Sequence, residues 1–241
     1  MTGALPAGLD PFLPDLHLDV LYEHRSDGRL LRVRSSSVTT PLVHLLRTPT
    51  GNRWLINAEL PEDIAARLDT TLGDEPAVAP DDWEQEPPRS LDAVRDLLRP
   101  FRALGTEYRG PAFAFPAAFE AVGRAEVYRA AATDAIADGL EWIAGAAEVE
   151  HPIVVARDEQ ARIVSACHAA RATGDGAEAG LETAPQARRH GHALAVTSWW
   201  AEVVQSAGRT PLYSTGWANE ASRGVARRLG LQLYAEDWHI S

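Results

Sequence analysis

The sequence predicts a mixed α/β protein made of two modules. Short runs of β-branched and aromatic residues alternate with longer helical stripes, and proline and glycine separate them. The segment Asp74–Pro88 contains four prolines and many carboxylates, which is typical of an acidic surface loop. At 241 residues and 45% apolar composition, the chain can bury one large core or two modest ones. We place the boundary near residue 110, which gives modules of residues 1–110 and 111–241.

The first module is predicted to contain strands followed by helices. Leu30–Val38, Leu42–Thr48 and Trp54–Ala58 have the composition of strands and are separated by turn residues. A helix is predicted after Pro61, where acidic residues suit the positive end of a helix dipole. A second helix is predicted after Ser90, which we expect to be its N-cap.

The second module is predicted to begin with a helix over Ala125–Ala147, although Ala125–Arg129 also fits a strand. An amphipathic helix is expected to start around Arg188–Ala193, and another at Asn219. Strands are predicted at Ile153–Ala156, Ala161–Ala172, Ala177–Thr183, Pro211–Thr215 and Leu231–Tyr234. A strand, loop and helix therefore succeed one another twice in this module.

Charge and composition exclude several classes of protein. A net charge of -11 argues against nucleic acid as a partner and favours cationic partners such as amines. The sequence contains no lysine, which excludes Schiff-base chemistry and a P-loop lysine. The single cysteine, Cys167, excludes an internal disulfide and is expected to be a small buried residue. No segment has the roughly twenty consecutive apolar residues of a membrane helix, so we expect a cytoplasmic protein with no membrane partner.

The start of the long helix in the second module has the pattern of an anion site. The first amides of a helix lack partners and its dipole is positive there, so a pyrophosphate fits if side chains leave room. Gly191 and Ala193 leave that room, and two arginines add charge-assisted donors. The residues of this segment are Arg188, Arg189, His190, Gly191, His192 and Ala193.

This part of the chain resembles the GNAT superfamily of N-acetyltransferases. The match covers Ala177–Leu231 and follows the order of elements in that superfamily. These elements are a strand, the R-x-x-G-x-A loop, a helix, a further strand, an asparagine-led helix and the closing R-L-G-L. Arg109–Phe115 and Trp142 are similar to a GNAT subgroup with an additional N-terminal module. The resemblance implies a GNAT fold in the C-terminal half, preceded by a smaller α+β module that is either a degenerate GNAT-like copy or a substrate cap.

The resemblance also implies a bound acetyl-CoA and the residues that hold it. The six residues from Arg188 to Ala193 would cradle the pyrophosphate of coenzyme A. The backbone of Leu181, Glu182 and Thr183 would pair with the pantetheine arm and polarise the thioester carbonyl. Asn219 and Ser222 would contact the arm or the thioester, and Asn219 also fits a plain helix N-cap.

The residues suggest a general base but no usual general acid. An amine must lose a proton before it attacks a thioester, and Glu178 and Glu182 share a face of the strand beside it. We favour Glu178, with Glu182 as the alternative and His168 in reserve. The resemblance implies a tyrosine that protonates the leaving thiolate, but Ala226 stands at that position. Tyr213, Ser222 or water is left to serve instead, or the thiolate leaves unaided.

These inferences predict an N-acetyltransferase that moves an acetyl group from acetyl-CoA to a primary amine in a ternary complex. The acceptor is expected to be a small molecule such as an amino acid, an aminosugar or an amine antibiotic. A non-catalytic acyl-CoA sensor, a protein N-acetyltransferase and an interaction module that has lost the cofactor are the alternatives. The protein is expected to be a monomer or homodimer. His190 and His192 form an H-x-H pair, but no metal site is expected.

Overall fold

The computed structural model of the protein describes residues 9–34, 38–129, 134–145 and 151–241. The α-helices are α1 (Leu13–Leu21), α2 (Glu62–Gly73), α3 (Leu91–Leu98), α4 (His192–Ser206) and α5 (Glu220–Arg228). The strands are β1 (Tyr22–His24), β2 (Arg29–Val33), β3 (Val43–Arg47), β4 (Arg53–Asn57), β5 (Glu107–Ala114), β6 (Glu126–Val127), β7 (Val154–Arg157), β8 (Ile163–Ala172), β9 (Gly176–Thr183), β10 (Thr210–Ser214) and β11 (Gln232–Ile240). The predicted mixed α+β class is confirmed.

Contacts divide the described chain into two compact units. Unit 1 takes in Met1–Ala114, Ser214–Arg223 and Gln232–Ser241, and unit 2 takes in Phe115–Tyr213 and Gly224–Leu231. The end of the chain belongs to unit 1 because β11 pairs along one edge with β3 and along the other with β5. The linear division at residue 110 stays a prediction about independently folding domains.

Unit 1 is a sheet of strands in the order β1, β2, β4, β3, β11 and β5, with α2 and α3 packed on it. The helices bury Leu68, Leu72, Val94 and Leu98 against the sheet, and Trp238 of β11 joins the same cluster. Burial of each such side chain contributes about 1.5–3 kcal/mol. β2, β3, β4 and both helices were predicted from the sequence, but α1, β1 and β5 were not.

The N-terminus of α3 is capped by a residue distant in sequence. The side chain of Ser90 makes no capping hydrogen bond, so the predicted role of Ser90 is wrong. Instead, the buried carboxylate of Glu75 accepts hydrogen bonds from the backbone N–H groups of Arg89 and Ser90, at 3.1 and 2.8 Å. A carboxylate there suits both the unpaired amides and the positive end of the helix dipole.

Unit 1 buries a charged cluster beneath β11. Asp237 is 2% exposed, and the Nε2 atoms of His17 and His44 each lie 3.1 Å from its Oδ1 atom. Tyr22 Oη lies 2.8 Å from Nδ1 of His44, and Nδ1 of His17 contacts the hydroxyl of Tyr234. Burial alone would raise the pKa of Asp237, but the charges and hydrogen bonds of the two histidines hold that pKa well below its ordinary value. Three strands and a helix are thereby tied together in the core.

A close backbone approach in unit 1 explains one glycine. The carbonyl oxygen of Thr215 lies against the Cα atom of Gly110, in the space that a Cβ atom would fill. The neighbouring Thr215 amide donates to the carbonyl of Pro111 at 3.2 Å. Residue 110 must therefore lack a side chain for this segment to pair with β5.

Unit 2 is a sheet of strands in the order β6, β7, β8, β9 and β10, covered on one face by α4. Neighbouring strands are antiparallel except for β9 and β10, which are parallel because α4 crosses between them. The helix is amphipathic, as expected, and buries Val196, Trp200 and Val204. Cys167 is fully buried on β8, as expected, and burial raises the pKa of its thiol.

The predicted helix over Ala125–Ala147 is wrong for the described residues of that segment. They form β6 at Glu126–Val127, which agrees with the alternative prediction of a strand, and a short 3-10 helix at Glu141–Gly145. Gly139 has φ +88°, a left-handed conformation that ends a helical pattern, and Leu140 turns into an apolar cluster under β7 and β8. Residues 130–133 and 146–147 of the predicted helix lie outside the described residues.

Candidate functional site

The candidate site begins where β9 and β10 separate. The parallel ladder between them pairs Thr210 with Gly176, Pro211 with Ala177 and Leu212 with Glu178, and it stops there. Strand β9 continues to residue 183, and on its other side it stays paired with β8 throughout. The last four residues of β9 therefore have one edge that β10 does not cover.

The hydrogen-bond alternation of an antiparallel pair shows which backbone groups face this open edge. The amide of Ala184 donates to the carbonyl of Val164 on β8 at 2.9 Å. Because such bonds recur at every second residue, Glu182 also directs its backbone groups towards β8. Leu181 and Thr183 direct theirs away from β8. Of the three predicted backbone contacts, Leu181 and Thr183 can reach a ligand at the open edge, whereas the backbone of Glu182 is used within the sheet.

The chain after β9 turns into α4 through two left-handed residues. A 3-10 turn at Pro185–Ala187 is followed by Arg189 with φ +66° and Gly191 with φ +86°. The first intrahelical bond of α4 runs from the amide of Ala195 to the carbonyl of Gly191 at 3.1 Å. The amides of residues 192–194 precede that bond, so they point out of the helix start and can bind an anion.

Space and charge at the helix start suit a phosphate group. A Cβ atom built on Gly191 would have no described atom within 4 Å, so the position is open. Arg188 and Arg189 are exposed, and Nε of Arg188 lies 3.4 Å from the carbonyl oxygen of Thr183. The predicted segment from Arg188 to Ala193 is thus assembled as one exposed turn that two guanidinium groups flank.

The two histidines of this turn have no metal-like arrangement. Nδ1 of His190 lies 2.8 Å from the carbonyl oxygen of Arg188, and the rings of His190 and His192 are 6.3 Å apart. Across the described ranges of the chain, no group of three or more His, Cys, Asp and Glu side chains is placed to hold a metal ion. Within the same ranges, no helix is both long and apolar enough to cross a membrane.

The residues of α5 and β10 that the sequence analysis singled out have local structural roles. Oδ1 of Asn219 accepts a hydrogen bond from the amide of Ser222 at 3.1 Å, which makes Asn219 the N-cap of α5. Both residues belong to unit 1, and their assignment to the arm of coenzyme A stays a prediction. Tyr213 is buried in β10 with 2% exposure, and Ala226 is fully buried in α5.

The two candidate glutamates occupy different environments on the same face of β9. Glu178 is 5% exposed, and its Oε2 atom accepts a hydrogen bond from Nη1 of Arg171 at 2.6 Å. Glu182 is exposed, and its Oε2 atom accepts a hydrogen bond from Nε1 of Trp142 at 2.9 Å. Glu178 is therefore enclosed by an ion pair, whereas Glu182 remains accessible.

His168 lies on this face between the two glutamates. It is paired across the sheet with Gly180, and its ring centroid is 4.6 Å from that of Trp142. Burial lowers the pKa of His168, while the charge of Glu182 and a hydrogen bond to the backbone of Gly180 oppose that shift. The sequence analysis did not connect Trp142 or Gly180 with His168, although an isolated glycine within a strand is a signal of close approach.

The order of elements at this site is the one that the GNAT resemblance implies, namely strand β9, a loop, helix α4 and strand β10. Residues 157–240 match the family model described as FR47-like protein, which is GNAT-related. The search of curated proteins finds no match. The GNAT resemblance is therefore confirmed for the C-terminal part of the chain, together with the fold class predicted for it.

Several solved structures are similar to the chain at low sequence identity. A GCN5-related N-acetyltransferase from Kribbella flavida is 15% identical and matches over 98% of this chain and 96% of its own, with a TM-score of 0.47. A GNAT-family protein from Novosphingobium aromaticivorans is 13% identical over 57% of this chain, which spans 66% of that protein, with a TM-score of 0.46. A tandem GNAT protein from the clavulanic acid biosynthesis pathway is 10% identical over 78% of this chain and 72% of its own, also with a TM-score of 0.46.

Proposed function

We propose that the protein is an acetyl-CoA-dependent N-acetyltransferase whose acceptor is the primary amine of a small molecule. The observation that carries this proposal is the open edge of β9, which leads directly to the unpaired amides at the start of α4. An extended thioester arm needs a strand edge, and a pyrophosphate needs a positive helix start. Unit 2 offers the two in sequence, within one segment of the chain.

In this proposal the pyrophosphate binds at the start of α4. The amides of residues 192–194 donate to its oxygens, and Arg188 and Arg189 supply charge-assisted hydrogen bonds. His190, His192 and Ala193 line the same turn, and Gly191 leaves room for the ligand. The arm then runs back along β9, towards the point where the ladder to β10 closes.

Backbone donors of β9 then act on the thioester. The N–H group of Leu181 is directed to the open edge, where it can bind the oxygen of the carbonyl as negative charge develops on it. Preorganised donors of this kind contribute about 2.7–4 kcal/mol each to catalysis in acyl transfer. Thr183 offers a further backbone donor nearer to the helix start.

The acceptor is proposed from charge. The chain has a net charge of -11, and the exposed carboxylate of Glu182 lies beside the open edge, so a protonated amine is attracted to this face. The thiolate of coenzyme A is a fair leaving group unaided, because a thiol has an ordinary pKa of about 8.5. A general acid is therefore dispensable, which accommodates Ala226 and the burial of Tyr213.

Ala226 also favours a second candidate function, a sensor that binds acyl-CoA without turning it over. Alanine has no hydroxyl group, and its side chain is fully buried here, so this position cannot supply a proton to a thiolate. The two functions share the binding site and differ in thiol release. A sensor binds acetyl-CoA and releases no coenzyme A in the presence of any amine.

Calorimetry followed by a thiol-release assay tests the proposal. We expect acetyl-CoA and free coenzyme A to bind with a dissociation constant of roughly micromolar order, equivalent to about 8 kcal/mol. A panel of amino acids, aminosugars and amine antibiotics should then include acceptors that release free thiol. Binding without release would favour the sensor. If neither compound bound, both candidate functions would be wrong, and the protein would be an interaction module without the cofactor.

A further inference from the structure

The ring of His168 lies flat against β9 because residue 180 is glycine. A Cβ atom built on Gly180 would lie 2.5 Å from Cε1 and 2.7 Å from Nε2 of His168, closer than real Cβ contacts allow. Gly180 is paired with His168 across the sheet, so the ring extends from β8 over the backbone of β9. The glycine thus lets an imidazole from one strand reach the middle of its neighbour.

Two further side chains fix the ring in this place. The indole of Trp142 packs on it with ring planes at 54°, and the same indole donates its N–H to Glu182. Glu182 lies two residues beyond Gly180 on the same face of β9, so its carboxylate is close enough to affect the charge of the imidazole. Trp142 therefore orients both the imidazole and the carboxylate.

The position of this group coincides with the place where a thioester would arrive. The ladder between β9 and β10 ends at Glu178, and Gly180 is the second residue beyond that point. An arm that starts at the helix and runs back along the open edge reaches this point last. A group over Gly180 therefore lies at the reacting end of the arm, whereas Glu182 lies roughly 7 Å nearer to the helix, at about 3.3 Å per residue.

We propose that His168 is the proton acceptor of the reaction and that Trp142 and Glu182 are its positioning residues. This inference rests on the proposed function, and it replaces Glu178 as the favoured base. Glu178 is buried and enclosed in its ion pair with Arg171, whereas His168 is only half-buried, so its imidazole is the more accessible of the two groups. The ligand class is a small protonated amine, which the carboxylate of Glu182 attracts to the imidazole.

The reaction begins with a proton transfer to His168. The ammonium group of the acceptor gives one proton to the imidazole of His168, and the neutral amine attacks the thioester carbonyl carbon. A C–N bond forms and the C–S bond breaks, with its electron pair leaving on sulfur. The second proton of the attacking nitrogen passes to the thiolate through water, which yields the amide and free coenzyme A. His168 then releases its proton to solvent.

The charged groups around the imidazole determine the pH dependence. Glu182 faces it from β9, the ion pair of Glu178 with Arg171 lies further along the same face, and Trp142 covers it without charge. Burial lowers the pKa of His168 below its ordinary value of about 6.5, against the opposing charge of Glu182. A base must be unprotonated to act, so activity is expected to be full at neutral pH and to fall as the pH drops through this lowered pKa.

Replacing the two candidate bases separately distinguishes them. We expect His168→Gln to reduce kcat by about 10²–10⁴-fold without changing the affinity for free coenzyme A. Glu182→Gln should retain kcat within about tenfold at pH 8 and should move the acidic limb of the pH profile to lower pH, because it removes a charge that favours the imidazolium ion. Glu202→Gln, an exposed change on α4, is the matched control and should leave the limb in place.

Two further variants test the placement of the imidazole. His168→Ala should regain activity when free imidazole is added, which a purely structural histidine would not allow. Gly180→Ala should lower kcat by displacing the ring, whereas Gly174→Ala, where an added Cβ meets open space, should not. If His168→Gln kept kcat within threefold of the wild type while amines still released thiol, this inference would be wrong and the proposed function would stand. If the wild type bound coenzyme A but released no thiol with any amine, both would be wrong.

Discussion

The two glycines at the ends of α4 allow the proposed binding site to be tested apart from the fold. Gly191 has φ +86° at the start of the helix, and Gly208 has φ +75° just beyond its end. A Cβ atom on either glycine would meet no described atom within 4 Å. Alanine at either position therefore costs only the strain of a left-handed conformation, about 1–2 kcal/mol. We expect Gly191→Ala and Gly208→Ala to lower the melting temperature similarly, by roughly 2–4 °C for each kcal/mol.

The affinity for coenzyme A should separate the two variants. The backbone strain is present in both free and bound protein, so it cancels from the binding free energy. The added methyl group at position 191 remains, and it occupies the space proposed for the pyrophosphate. Displacing one charge-assisted hydrogen bond costs about 1.5–3 kcal/mol, which corresponds to a roughly ten- to hundredfold higher dissociation constant. Calorimetry with free coenzyme A measures the dissociation constant of each variant. Equal affinities of the two variants would refute the assignment of the pyrophosphate to this turn.

Three other substitutions give expected outcomes at separate places. Arg188→Gln should weaken coenzyme A binding by roughly five- to tenfold and make the affinity less sensitive to salt. The exposed Arg67→Gln is the control and should change neither the affinity nor its salt dependence. Calorimetric titrations at two ionic strengths measure both quantities. Asp237→Asn removes the carboxylate from the buried histidine cluster and should lower the free energy of unfolding by about 3–5 kcal/mol. The exposed Asp74→Asn is the control and should lower it by less than about 0.5 kcal/mol. Chemical denaturation measures both values. Gly110→Ala should destabilise by at least about 1–3 kcal/mol, since its Cβ would collide with backbone, and an unchanged melting temperature would contradict that packing.

The strands and helices of the second module could be predicted from the sequence where periodicity and punctuation agreed. Strand β9 was predicted to within one residue because Gly176 and Pro185 bound it. The start of α4 was predicted from Gly191, since a glycine there meets both the steric and the backbone requirements of the turn. In these places a local rule and the tertiary structure require the same residue.

The predictions failed where tertiary contacts override local pattern. Alanine is a strong helix former, so Ala125–Ala147 had a helical composition, but its apolar residues pack under β7 and β8 and Gly139 breaks the pattern. Ser90 has the usual composition of an N-cap, yet a carboxylate fifteen residues away caps that helix. Sequence spacing cannot report such distant partners.

The catalytic assignment could be predicted only in part for the same reason. Period-two spacing correctly placed Glu178 and Glu182 on one face. The ion pair that encloses Glu178 depends on Arg171 of the neighbouring strand, and the place of His168 depends on its register with Gly180. Register between strands is set by side-chain packing and by a bulge in β8, neither of which can be seen in one strand alone.

Coenzyme A is proposed to bind along the open edge of β9 and at the start of α4. Residue-resolved amide hydrogen exchange of the whole protein, with and without saturating coenzyme A, tests both parts of this binding site. We predict that the ligand slows exchange at Leu181 and Thr183 and at residues 192–194, while amides in α2 keep their rates. Binding that left all five amides unchanged, or that protected only residues of unit 1, would contradict this binding site.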